Sequence, residues 1–306
     1  MVSIWETERP PSVQDYYLVC YFALAFPVAR FLLDCFLYQV LVAFCLHIMF
    51  FEMKLKGLKN GAREAGEKKI PKFTESAWKL TYYLATEVFV IFITYKEAWF
   101  GNTSAFWHGW PYQTVKFQLT LFYTFQCGFY IYSVAALLFW ETRRKDFDVM
   151  MTHHIVTIGL IAYSYITGCR SFRAGSIVLA LHDVSDVFME AAKLCKYSGS
   201  EVGASVSFGL FVLSWVLLRL IYFPFWIIWS TSYEVINYVD LSQFYVSFQY
   251  YVFNMLLITL LVIHCYWWVL ILRMVIKQLR NSGKVGEDVR SGPSHIHIMF
   301  LLSKQL

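Results

Sequence analysis

Ser205–Trp229 reads SVSFGLFVLSWVLLRLIYFPFWIIW, a run whose single charged side chain is Arg219. Wound as a helix it reaches about 37 Å, enough to cross a hydrocarbon core of about 30 Å. Tyr16–Phe51 and Phe117–Trp140 have the same character. Of the 306 residues, 58% are apolar and 20% aromatic, and only 15% are charged. A soluble domain carries about a quarter. The pattern predicts an all-α polytopic membrane protein with too little remaining sequence for a separate soluble domain.

Seven spans can be drawn, at about 17–48, 80–98, 116–140, 149–168, 174–192, 204–230 and 243–272. The first lacks the short apolar core and cleavage site of a signal peptide, so it reads as a retained helix. Pro27 is expected to kink it, and Asp34 to turn one face toward protein or a polar rim. Glu87 and Glu97 are read as bracketing the second span. The Lys/Arg balance of the loops sets the orientation. Residues 51–79 hold eight basic side chains, and the same side carries Arg143, Arg144 and Lys145, then Lys193 and Lys196, then the tail. Loop 99–115 has neither Lys nor Arg; Arg170 and Arg173 are the exception. The N-terminus is therefore expected in the lumen or exterior and the tail in the cytosol, with the sequon Asn102-Thr103-Ser104 on the lumenal side. The net charge of +5 follows this loop asymmetry and does not suggest nucleic-acid binding. The seven cysteines are scattered with no C-x-x-C spacing, so they read as small apolar side chains and not as a zinc site or disulfide framework.

Against this apolar background, His153 and His154 open the fourth span, and His182, Asp183 and Asp186 lie deep in the fifth. Ionisable groups are expensive in hydrocarbon and normally face a protein interior or a wet cavity. At 1.5 Å per residue the two histidines lie roughly 8–9 Å in from Asp148, and Asp186 and Asp183 about 10 and 15 Å in from Lys193. Two antiparallel neighbours thus bring both clusters to similar depth. Asp183 and Asp186 share a helical face, as do His182 and Asp186; Glu190 continues the stripe and Lys193 can neutralise it. A neutral imidazole is a good nucleophile or base, and a carboxylate on its other nitrogen fixes its tautomer. That set suits acyl transfer. An isolated intramembrane histidine is as readily helix glue, but five ionisable groups at one depth favour a site. A metal-dependent lipid-modifying enzyme is the other reading, although a membrane di-iron site needs more histidines than these spans provide. His264 in the last span is the further histidine placed to contribute. Arg219 can pair with a carboxylate or bind a head group, Tyr222 and Trp226 are interface or cavity-wall aromatics, and Asn254 and Thr259 can join helices.

The stretch His153-His154-Ile155-Val156-Thr157, through Arg173, to Leu181-His182-Asp183-Val184-Ser185-Asp186 and on to Glu190 and Lys193 resembles the signature of the ceramide synthases, within the TRAM–LAG–CLN8 group of membrane proteins. The likeness covers roughly residues 70–275. The short N-terminal region, without a homeodomain-like insert, is similar to the plant, longevity-assurance-like branch, as is Ser282–Ser291. The resemblance implies six spans around a lipid cavity open to the cytosol, with one further N-terminal span. It implies a lumenal N-terminus over 1–16, a first helix over 17–50, a basic linker over 51–71, a catalytic membrane domain over 72–275 and a cytosolic tail over 276–306.

The implied activity is transfer of a fatty acyl group from acyl-CoA to the amine of sphinganine or phytosphingosine in the endoplasmic reticulum membrane, giving a ceramide and CoA. Acyl-CoA is then a co-substrate, with no permanently bound cofactor and no metal. The partners are the sphingoid base, membrane lipids and, in a homo- or hetero-dimer, a related synthase. His153, His154, Asp183, Asp186 and His182 are the implied catalytic set, with His153 as acyl carrier or, in direct transfer, as base. Arg143, Arg144 and Lys145 are candidates for CoA phosphates; Arg219, Tyr222, Trp226 and His264 are candidates for substrate contact. A lipid-binding or lipid-sensing protein without turnover is the alternative. The tail from Gly292 to Leu306 departs from the plant pattern and reads as an alternative or truncated terminus.

Overall fold

The computed structural model describes residues 5, 7–41, 70–110, 112–141, 143–166 and 171–280. The basic linker over 51–69, His47, Cys45, Cys169, Arg170 and the tail from 281 lie outside the described residues. The long elements are helices: α1 (Tyr16–Leu33), α2 (Ile70–Thr94), α3 (Phe117–Phe139), α4 (Phe147–Ile166), α5 (Phe172–Tyr197), α6 (Glu201–Ser214) and α7 (Phe244–Arg280). α6 runs on through a wide π-helical stretch, Trp215–Ile228, into Trp229–Ser232. Among the described residues four segments are long and apolar enough to cross a membrane: Val13–Leu41, Phe117–Phe139, Glu201–Asn237 and Phe244–Arg280. α2, α4 and α5 have the length, at 25, 20 and 26 residues, but carry more polar side chains. The chain is thus an all-α, largely membrane-embedded protein.

Several helix bounds differ from the expected ones for a physical reason. α2 begins at Ile70, ten residues before the expected 80, because the charges that suggested a loop are satisfied in place. Lys79 bridges Glu75 at 3.1 Å and Glu141 at 2.7 Å, and Arg144 reaches Glu75 at 3.0 Å. Glu87 is consequently mid-helix and does not bracket a span. Glu97 lies beyond the helix end and pairs with Lys116 at 2.5 Å. α7 extends to Arg280, and at about 55 Å it outruns the hydrocarbon core.

The helices pack in a fixed neighbourhood: α1 on α3, α2 on α5, α5 on α6, and α4 between α3 and α7. The turn after α3, the start of α2 and the end of α5 form a charged end, where Lys193 pairs with buried Glu190 at 2.7 Å. The opposite end is closed by loop contacts. Arg173 donates to the carbonyls of Ala105 and His108, Trp107 donates to Ser230 Oγ at 3.0 Å, and Asn254 accepts from Thr231 at 2.9 Å, joining α7 to α6. Thr259 instead bonds back to Met255 of its own helix.

The N-terminal segment is tied down by a strand pair and a capping box. A two-residue antiparallel pair, β1 (Glu8–Arg9) with β2 (Val115–Lys116), holds it to the start of α3. Ser12 and Asp15 form a capping box, and Asp15 also pairs with Arg9 and accepts from Tyr165 at 2.8 Å. Close approach of α1 to α3 depends on Gly128. A Cβ there would stand 2.8 Å from Phe22 Cβ and 3.1 Å from the Ala23 nitrogen, so backbone and not a movable side-chain tip would have to give. Gly128→Val is expected to cost about 1–3 kcal/mol through overpacking. Thermal unfolding in detergent should show a lower midpoint; an unchanged one would mean that α1 does not dock here.

Candidate active site

The site is assembled where α4, α5, α6 and α7 converge. His153 of α4 lies with its ring centroid 5.5 Å from His154, 6.5 Å from His182 of α5 and 6.4 Å from His264 of α7. Trp267 meets the His153 ring edge-on at 5.2 Å, and Tyr130 of α3 does the same to His154 at 5.4 Å. All four imidazoles are buried. The Nδ1 atoms of His153, His154 and His264 have no hydrogen-bond partner among the described residues.

Two contacts fix tautomers. His182 Nδ1 is 2.6 Å from the Val178 carbonyl, which can only accept, so that nitrogen carries a proton. In the neutral ring the Nε2 is then an acceptor, and His264 Nε2, 2.9 Å away, must be the donor. The expected arrangement of a carboxylate on a histidine is absent among the described residues: a backbone carbonyl and a second imidazole orient His182 instead.

The two aspartates go elsewhere because they leave α5 in different directions. Asp183 Oδ2 accepts from Gln126 of α3 at 2.5 Å and from Thr86 of α2 at 3.1 Å, and Gln126 Oε1 in turn accepts from Tyr82 at 2.5 Å. Asp186 pairs with Arg219 of α6 at 3.0 Å. Arg219 also donates to the His182 carbonyl at 2.8 Å and stacks over Trp215 at 4.2 Å. It is 2% exposed, so its charge is answered wholly within the protein.

Two cavities flank these residues. The outer one, about 80 Å³, is walled by His153, His154, Asp186, Arg219, Trp215 and Trp267, and its mouth is rimmed by Lys79, Glu141, Arg143, Arg144 and Lys193 of the charged end. The inner one, about 30 Å³, is apolar and runs from His182 and Thr157 toward Tyr123, Ser164 and Gly175. Tyr130 lines both and stands between them.

Of the residues singled out from sequence, His153, His154, Asp186 and Arg219 therefore line the outer cavity, and His182 and His264 stand behind it. Asp183 lines neither. Arg143 and Arg144 are at the mouth, Arg143 over the Phe147 ring at 4.1 Å and Arg144 on Glu75, whereas Lys145 is exposed and outside the lining. Tyr222 and Trp226 stack on each other with centroids 5.4 Å apart, and neither lines a described cavity. Sequence reasoning passed over Gln126, Thr86, Tyr130 and Trp267. An amide in the middle of the apolar run Phe117–Trp140 is the signal that marks Gln126. Nothing local distinguishes Tyr130 or Trp267 from the other aromatics. Among the described residues no group of three or more His, Cys, Asp or Glu side chains is arranged to hold a metal ion.

Residues 72–273 match the TRAM–LAG1–CLN8 family model, the TLC domain. The chain belongs to the TLC-domain family. It is 51% identical over 293 residues to ceramide synthase LOH1 of Arabidopsis thaliana, covering 94% of this chain and 93% of that protein. It is 52% identical over 284 residues to ASC1-like protein 3 of Oryza sativa subsp. japonica, covering 92% and 97%. Ceramide synthase 4 of Mus musculus is 37% identical over 220 residues, covering 72% and 54%. This TLC domain holds its polar set through the Asp186–Arg219 pair. Arg219→Leu, which removes the partner of a carboxylate only 16% exposed, is expected to cost about 3 kcal/mol, the low end for a buried pair. Adding Asp186→Leu should recover much of that loss in a double-mutant cycle of detergent-phase unfolding; additive losses would show that the two side chains do not interact.

Proposed function

We propose that the chain is an acyl-CoA-dependent N-acyltransferase that joins a fatty acyl group to the amine of sphinganine or phytosphingosine. The products are dihydroceramide or phytoceramide and free CoA. The observation that carries this reading is His153: a buried imidazole on the wall of a cavity whose mouth is basic and which is separated from an apolar chamber by Tyr130. Its kinship with proteins named ceramide synthases supports the same reading.

In the reaction, CoA phosphates sit at the mouth near Arg143, with Lys79, Arg144 and Lys193 adding positive potential around them. The thioester lies against His153 and its acyl chain extends past Tyr130. A ring nitrogen of His153 attacks the thioester carbonyl; a C–N bond forms, the C–S bond breaks, and the imidazole N–H proton leaves with the thiolate as CoA thiol. The neutral amine of the base then attacks the acyl-imidazole. The amide C–N bond forms as the imidazole C–N bond breaks, and the amine proton returns to the imidazole. The protein dipoles around this carbonyl are already fixed, so little reorganisation accompanies either step. His182 and His264 hold the inner wall beside His153, and Asp186 holds Arg219 in the cavity.

The arrangement in the membrane follows from the same reading. Seven helices span the endoplasmic reticulum membrane, six of them around the cavity, with the N-terminus lumenal and the charged end cytosolic. Residues 72–275 form the catalytic domain.

Purified protein given sphinganine and acyl-CoA is expected to make dihydroceramide, and His153→Ala to lower turnover by at least about 10³-fold, the scale set by loss of a nucleophile. Acyl-CoA alone should leave an acylated peptide containing His153. Product formation without that adduct would favour direct transfer with His153 as base. A folded protein inactive with every substrate pair would mean lipid binding without turnover.

A further inference from the structure

The inner chamber has a floor, and its position is defined by four helices at once. Along α3 the lining runs from Tyr130 to Tyr123, along α4 from Thr157 to Ser164, along α5 from His182 back to Gly175, and along α7 from Leu260 back to Phe253. Each interval is seven residues, about 10 Å of helix. At its far end the Tyr123 ring crosses the chamber. The hydroxyl donates to the Phe172 carbonyl at 2.9 Å, lies 3.3 Å from Ser164 Oγ, and occupies the space a Cβ on Gly175 would need. Tyr165 stacks on the ring at 5.6 Å.

Behind this ring the protein is polar. Tyr165 donates its one proton to Asp15 at 2.8 Å and is 3.0 Å from the Thr120 hydroxyl, which is free to donate to the phenol oxygen, all three buried. A methyl terminus pushed past Tyr123 would have to displace Tyr165 and cost a buried carboxylate one of its hydrogen bonds. The loop Tyr233–Ser242 contributes no lining residue to this chamber.

We propose that Tyr123, seated in the notch left by Gly175, is the stop that sets the longest acyl chain the site accepts. The inference rests on the acyl-transfer reading above. The hydrocarbon chain enters past Tyr130, lies between Leu179, Leu257 and Ile161, and ends against the Tyr123 ring. Each methylene forced beyond that floor meets a hydrogen-bonded wall.

The test is a competition assay on the purified full-length chain, with sphinganine and an equimolar series of saturated acyl-CoAs, and ceramide products resolved by mass. Tyr123→Leu removes the crossing ring and keeps the surface apolar. It is expected to raise the ratio of products longer than the wild-type optimum to products at that optimum by about tenfold, the discrimination that one methylene in an apolar pocket supplies. Leu179→Phe fills the wall above the floor and should shift the optimum to shorter chains by a similar factor. It stands in for Tyr123→Leu where loss of the Phe172 and Ser164 bonds prevents folding. Active variants with the wild-type product profile overturn the stop while leaving acyl transfer intact. Wild-type protein that forms no amide overturns both.

Discussion

A guanidinium that cannot reach water must find a carboxylate, and the rest of the site is arranged around that necessity. Arg219 and Asp186 meet at 3.0 Å with Arg219 only 2% exposed. Hydrocarbon offers neither group a partner, so separating the helices that carry them is opposed by the whole cost of baring two charges. The pair fixes the rotation of α5 against α6. Once that rotation is set, Asp183, three residues earlier, can only face α2 and α3, and His182 can only face α7. The three polar side chains of one motif therefore become three anchors, each on a different neighbour.

This division of labour changes how the histidines are held. In a serine-hydrolase-like arrangement a carboxylate would back the reacting imidazole. Here the described carboxylates are occupied by Gln126, Thr86 and Arg219, and the imidazoles are ordered by a carbonyl and by one another. His182 is committed as donor to Val178, His264 is committed as donor to His182, and His153 is left without a described partner at Nδ1. A nucleophilic nitrogen is most useful when its lone pair is not already engaged. Packing by Trp267 and His154 fixes the ring of His153 without consuming that lone pair.

The cluster itself was legible because intramembrane His and Asp are rare enough to stand out one at a time, and helical rise converts their positions to depth. That reasoning correctly brought His153 beside His182 and attached Lys193 to Glu190. It failed on partners, which depend on the rotation of each helix about its axis. Helical periodicity says that Asp183 and Asp186 share a face of α5 but not what stands opposite each. It also failed at α2, where Glu75 and Lys79 look like a loop until Glu141 and Arg144, more than sixty residues away, supply their counter-charges. The stacked pair Tyr222 and Trp226 shows the same limit: an aromatic suits lipid and cavity alike, and sequence does not say which it meets.

The three helices that fall short of the apolarity of a membrane span are α2, α4 and α5, and they carry Thr86, His153, His154, His182, Asp183 and Asp186. The shortfall and the site have one cause, since every polar group placed there lowers the helix's own affinity for hydrocarbon. Such helices persist in a bilayer only where neighbours shield them. α5 is covered by α2, α6 and the start of the loop at Thr103–Trp107, and α4 by α3 and α7. α1 shows the complementary behaviour: only 11% of its most apolar window is buried, and Tyr17, Tyr21, Leu24, Val28 and Phe31 point outward. Apolar α1, α6 and α7 can face lipid with much of their surface while the polar helices surrender theirs to protein contact. The chemistry and the fold therefore constrain each other: the site needs polar helices, and polar helices need to be in the middle.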